Sequence, residues 1–147
     1  MTSADADRAD VSRPSYTLHL SSFLNAKHRV TFAEAGPIHG HSWRLEVSLR
    51  VALGEGPAAA PVEFAGLEQL IRRILRPYEG RFLNDLPPFI DIVPSTENIA
   101  RFLYGAIGES LAETRARVLE VTLWETPTKG VTMAVPLLAS GQASAVL

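Results

Sequence analysis

The sequence contains no cysteine. That excludes disulfides, thiolate metal ligands and a cysteine nucleophile, and it leaves the redox compartment open. Charge is also sparse, at 20% Asp, Glu, Lys and Arg with a formal net charge of −2, and the basic residues are scattered. Nucleic-acid binding needs a basic patch or stripe, so no nucleic-acid partner is expected. Met1 to Pro14 mixes Asp, Arg, Ala and Ser without an apolar run, which predicts a disordered tail rather than a signal peptide or membrane span. A cytoplasmic protein without a membrane partner is the default expectation, and no other partner can be read from charge.

The 147 residues suffice for one domain, expected over 15–138 and followed by a flexible tail at 139–147. A chain this short encloses its own pocket with difficulty, so an active site between subunits is expected.

Histidines are few but clustered, three of the four falling between His28 and Trp43. Residues two apart on a strand project to the same face. If His41 begins the alternating run that follows, His39 and His41 offer two imidazoles to one ion, and His28 can supply a third. Three neutral imidazoles with an open position describe a catalytic zinc site better than a structural one, which is normally closed by four protein ligands. A His-x-His pair at a strand edge also arises without any metal.

Alternation through Tyr16, Leu18 and Leu20 predicts a strand running toward His28, with His19 an ordinary strand residue. A second strand follows the Gly36-Pro37 turn, with Trp43, Leu45, Val47, Leu49, Val51 and Leu53 on its buried face. Phe64, Leu67, Leu70, Ile71, Ile74, Leu75 and Tyr78 recur at helical spacing, with Arg72, Arg73 and Arg76 on a solvated face. Glu79 to Pro94 reads as a connection, and Ser95 opens a second helix with Glu97 in its first turn. Val118 to Trp124, with Leu119, Val121 and Leu123 on one face, and Val131 to Leu137 complete a hairpin. The order β-β-α-α-β-β predicts an α+β domain, a four-stranded antiparallel sheet with two helices on one face.

Several segments then carry a resemblance. Leu24-Asn25-Ala26-Lys27-His28, His39-Gly40-His41, Val62-Glu63-Phe64, Phe82-Leu83-Asn84, Pro94-Ser95-Thr96-Glu97-Asn98 and Glu125-Thr126 stand in the order of the motifs of one family. They resemble the 6-pyruvoyltetrahydropterin and 6-carboxytetrahydropterin synthases of the T-fold superfamily. The resemblance implies Zn2+ on His28, His39 and His41, a substrate ring gripped by Glu125 with Ser95, Thr96 and Glu97, and a homohexamer of two stacked trimers with active sites at subunit interfaces. A carboxylate can accept paired N–H groups in a bidentate manner, which suits Glu125 to that role. It also reads as an exposed charge ending a strand, and Thr96 as a helix-start residue.

Two positions depart from the family's pattern. Its catalytic cysteine, a few residues before His-Gly-His, aligns with Ala35, and its Asp-His dyad reads Glu79-Gly80. Some members use a glutamate three residues before His-Gly-His, where this chain has Gly36; Glu34 lies five before. Glu34 is therefore the first candidate base and Glu79 the second, with Lys27 and Arg81 as charge stabilisers. The implied protein is a zinc-dependent lyase or cyclase with altered acid–base residues, or a zinc- or pterin-binding sensor or scaffold without catalysis.

Overall fold

Alternation is written most plainly into the strand that became the centre of the sheet. In the computed structural model, which describes residues 14–31, 36–53 and 62–136, strand β2 spans His39–Ala52. Its Trp43, Leu45, Val47, Leu49 and Val51 are all buried against the helices. Each such side chain stabilises the fold by about 1.5–3 kcal/mol relative to exposure. Leu53 falls one residue past the strand's end and is exposed.

Strand β1 (Ser15–His28) pairs antiparallel with β2 from Ser15↔Ala52 to His28↔His39. After helix α1 (Phe64–Leu75) and helix α2 (Thr96–Ser110) come strands β3 (Ala116–Thr126) and β4 (Lys129–Ala134). The sheet order is β1-β2-β3-β4 with every pair antiparallel, so the α+β architecture is the one the periodicities predict. Helix α1 packs on β1, α2 packs on β3 and β4, and the helices touch each other.

The expected face of β3 needs one correction. Pairing with β2 shifts between Ser48 and Leu49, so that Ser48 meets Glu120 and Leu49 meets Val118. Leu119 is the extra residue of this bulge, and Val118 and Ala116 take the buried positions instead. A bulge adds one residue to one strand and so reverses the inside-outside parity beyond it.

Helix α1 ends at Leu75, short of the expected Tyr78, because Pro77 cannot donate into another turn. Its buried stripe is Leu67, Ile71 and Leu75, while Phe64, at the first position, stays exposed. Tyr78 instead joins Phe89 and Phe102 in edge-on ring contacts at 5.5–5.9 Å. The connection after α1 is more ordered than its composition suggests. It contains a short 3-10 turn, Leu83–Asp85, with Leu83 fully buried. Among the described residues no helix is long and apolar enough to cross a membrane. Apart from Pro14, the tails expected at 1–14 and 139–147 lie outside the described residues, as does Glu34.

Candidate metal centre

Strand register brings the three histidines together. His28 ends β1 on the face that carries Leu24 and Ala26, and the pairs His28↔His39, Ala26↔His41 and Leu24↔Trp43 set His39, His41 and Trp43 on that same face. The chain re-enters β2 through Gly36-Pro37-Ile38. A Cβ on Gly36 would lie 2.8 Å from the Val30 carbonyl oxygen, so the close return that aligns His39 with His28 requires glycine. Two residues beyond Leu123, Glu125 reaches the same end of the sheet. The three imidazoles and the Glu125 carboxylate each offer one ligand atom, all within 4.8 Å of one another.

Hydrogen bonds fix which nitrogen of two rings carries a proton. His28 Nδ1 donates to the Pro94 carbonyl at 2.7 Å, and His39 Nδ1 donates to the Pro37 carbonyl at 2.9 Å. Carbonyl oxygens only accept, so in each neutral ring the Nε2 presents a lone pair. These two Nε2 atoms lie 2.9 Å apart. Glu125 Oε1 adds negative charge 3.2 Å from His41 Nε2 and 3.7 Å from His28 Nε2. The 3.2 Å approach lacks hydrogen-bond geometry, and the buried His41 Nε2 has no hydrogen-bond partner. Lone pairs and a carboxylate that converge in this way repel unless a proton or a metal cation lies among them. The donor set therefore fits a divalent metal such as zinc, which takes imidazole nitrogen and carboxylate oxygen.

The site is held rigidly on its inner side. His28 is fully buried, whereas His39 is exposed. The Trp43 ring lies 4.9 Å from both the His28 and His41 rings, and its Nε1 donates to Thr96 Oγ1 at 3.2 Å. Ser95, the N-cap of α2, accepts from Asn98 N, and Asn98 Nδ2 donates to the Val93 carbonyl. Ser95 and Thr96 are buried, Thr96 against Trp43, while Glu97 at the next position is exposed.

Glu79 sits elsewhere, on the outer edge of β1. Its two carboxylate oxygens accept from Asn25 N at 3.1 Å and Asn25 Nδ2 at 2.8 Å. The following residues continue along that edge: Gly80 N donates to Asn25 O, Lys27 N to Arg81 O, and Asn84 bonds both N and O of Arg29. His28 is bracketed by these contacts. Neither Glu79 nor Glu97 belongs to the group of convergent ligand atoms. Sequence reasoning passed over Asn84, Trp43 and the Pro94 carbonyl as supports of the site. The Phe82-Leu83-Asn84 motif could have pointed to the first; a backbone carbonyl leaves no signal.

The family model for 6-pyruvoyl tetrahydropterin synthase matches residues 17–135, nearly the whole described span. The chain belongs to this family. Solved structures agree in fold. The 6-pyruvoyl tetrahydropterin synthase of Caenorhabditis elegans aligns with a TM-score of 0.70 at 20% identity, over 84% of this chain and 97% of that one. That of Plasmodium vivax aligns with a TM-score of 0.66 at 18% identity, over 84% and 99%. That of Plasmodium falciparum aligns with a TM-score of 0.60 at 16% identity, over 82% and 99%. No curated protein sequence matches this chain.

Burial lowers the His28 pKa below the ordinary 6.5, with the neighbouring imidazoles adding to the shift and the Pro94 bond and Glu125 opposing it. Burial also lowers that of His41, against the opposing effect of Glu125. Both rings therefore stay neutral, and able to bind metal, down to a lower pH than a free imidazole does. The folded state disfavours their protonation, so the stability they contribute is present above the unfolded value and lost as pH falls from there through the lowered folded value. A metal held here should accordingly be retained to a pH below the ordinary 6.5 of a free imidazole and released only as the lowered values are passed. Zinc content after equilibrium dialysis across pH 5–8 measures this; loss beginning well above neutrality would contradict the lowered values.

Proposed function

We propose that the protein is a zinc-dependent lyase or cyclase that acts on a carbonyl-bearing small molecule other than the standard pterin substrate, as part of a specialised biosynthetic pathway. The observation that carries this reading is the convergence of three imidazoles and a carboxylate whose ligand atoms all lie within 4.8 Å of one another. His28, His39 and His41 would hold the metal. When bound, zinc polarises a substrate oxygen and acidifies the neighbouring C–H. Ser95, Thr96 and Glu97 with Glu125 would orient the substrate, and Lys27 and Arg81 would balance developing charge.

Glu34 is the proposed base, since both oxygens of Glu79 are engaged by Asn25. A turnover screen of zinc-loaded protein against carbonyl and hydroxycarbonyl compounds tests the proposal. With a substrate in hand, Glu34→Gln should retain zinc and lower the rate at least about a hundred-fold, the low end for removing a general base. An unchanged rate would take that role from Glu34.

A second reading, a zinc- or pterin-binding sensor or scaffold without catalysis, is favoured by the same engagement of Glu79 and by Gly80, which has no side chain to relay a proton. A compound that raises the melting temperature and is never turned over would establish it.

The assembly we propose is a homohexamer with sites at subunit interfaces. β1 and β4 are the edge strands of the sheet, and the face away from the helices exposes Phe23 among polar residues. The segment after α1 covers β1 from Asn25 to Arg29, but the rest of that edge, the β4 edge and the uncovered face call for partners. Light scattering should report the hexamer at micromolar concentration; a monomer would contradict it.

A further inference from the structure

We propose that the helix-free face of the sheet carries a separate ligand site, a slot bounded by Phe23, Arg44 and Trp124 that takes a planar aromatic ring bearing a single negative charge. This site is independent of the metal reading and lies on the other side of the sheet.

The pairs Phe23↔Arg44, Arg44↔Trp124 and Trp124↔Gly130 form one row across all four strands. The rows on either side of it are polar, with Ser21 and Asn25 on β1, Ser42 and Glu46 on β2, and Thr122 on β3. Neither ring belongs to the hydrophobic core. Phe23 is 56% exposed, so it forfeits much of the stabilisation that burying a phenyl ring gives. Trp124 is half-buried and held in place from both neighbouring strands. A Cβ on Gly130 would lie 2.6 Å from its ring, so only glycine fits beside it on β4, and from β2 the Arg44 guanidinium lies 5.6 Å from the ring centre.

These residues, with Ser42, Thr126 and Pro127, line a pocket of about 320 Å³, which is at the small end of the range for small-molecule sites. Of the lining residues only Glu125 also belongs to the group around the histidines.

The chemistry of the walls selects the ligand. Aromatic side chains favour a flat π-system, stacked or edge-on. Arg44 uses Nη2 on Glu46 Oε1 at 3.2 Å and has no other ion pair among the described residues, so its remaining N–H groups and the Ser42 hydroxyl can bind an anionic group. One charge suits the slot better than several, because the Glu46 and Glu125 carboxylates stand close to the single basic residue that lines it. An aromatic carboxylate meets both requirements; a polyphosphate meets neither.

Isothermal titration calorimetry with naphthoate tests this. The controls are cyclohexanecarboxylate, which keeps the charge without the aromatic ring, and naphthalenemethanol, which keeps the ring without the charge. Naphthoate should bind one per chain, and both controls at least about tenfold more weakly. Arg44→Gln should weaken naphthoate by at least about tenfold, the loss of a charge-assisted bond, and Phe23→Ser by roughly two- to tenfold. Both side chains are exposed, so the variants should keep the fold, which circular dichroism checks. His39→Ala, which lacks one imidazole of the metal centre, should bind naphthoate as the wild type does. Binding lost in His39→Ala would put the ligand at the histidines and overturn the proposal. Equal affinity for cyclohexanecarboxylate, unchanged affinity in both slot variants, or no binding at millimolar naphthoate would overturn it as well.

Discussion

Protein expressed in zinc-replete medium should carry about one zinc per chain, and His39→Ala or His41→Ala should empty the site. Each substitution removes one of three imidazoles, and the loss should exceed the 10–100-fold penalty of deleting an outer-shell partner. His39 is the cleaner choice. It is exposed, so its removal leaves no cavity, and its other ring nitrogen bonds only the nearby Pro37 carbonyl. His28→Ala would empty the site too, but it would also strand the buried Pro94 carbonyl and open a void beside Trp43, confounding metal loss with unfolding. Metal analysis by mass spectrometry reads the outcome, with circular dichroism as the check on fold. Wild-type protein free of any transition metal would remove the proposed chemistry altogether.

The histidine cluster was legible because strand periodicity is local. His39 and His41 lie two apart at the head of the clearest alternating run, so their shared face follows from the pleat alone. His28 needed more, since only the pairing of β1 with β2 brings it opposite His39. The β1-β2 and β3-β4 hairpins and both helices were legible for the same reason. What escaped was non-local or carried by the backbone. The bulge that turns Leu119 out of the core depends on how β3 meets β2, and no residue in Val118 to Trp124 announces it. The segment after Pro77 has no period, yet it pins the outer edge of β1 through Glu79 and Asn84. Composition shows Glu79 only as a carboxylate near a motif; its engagement by Asn25 depends on two segments far apart in sequence.

Given dihydroneopterin triphosphate, the zinc-loaded protein should form no pyruvoyl or carboxy tetrahydropterin at a useful rate. Ala35 and Gly80 stand where the family resemblance places a cysteine and a histidine, and neither can take or give a proton. Each missing acid–base group removes about 10²–10⁴ in rate; because groups acting together are not additive, the combined loss lies below the product. Gly80 has φ +68°, and its N–H donates to Asn25 O at 2.6 Å, so the backbone here is fixed by β1. A Cβ at this position would meet nothing within 4 Å. Histidine is thus sterically admissible, against a cost of about 1–2 kcal/mol for a side chain in the left-handed region. The double substitution Ala35→Cys, Gly80→His should therefore fold, with some loss of stability, and raise synthase turnover above the wild-type background in a chromatographic assay of the pterin product. Robust turnover by the unaltered protein would mean that its proton donors lie elsewhere than the alignment at Ala35 and Gly80 places them.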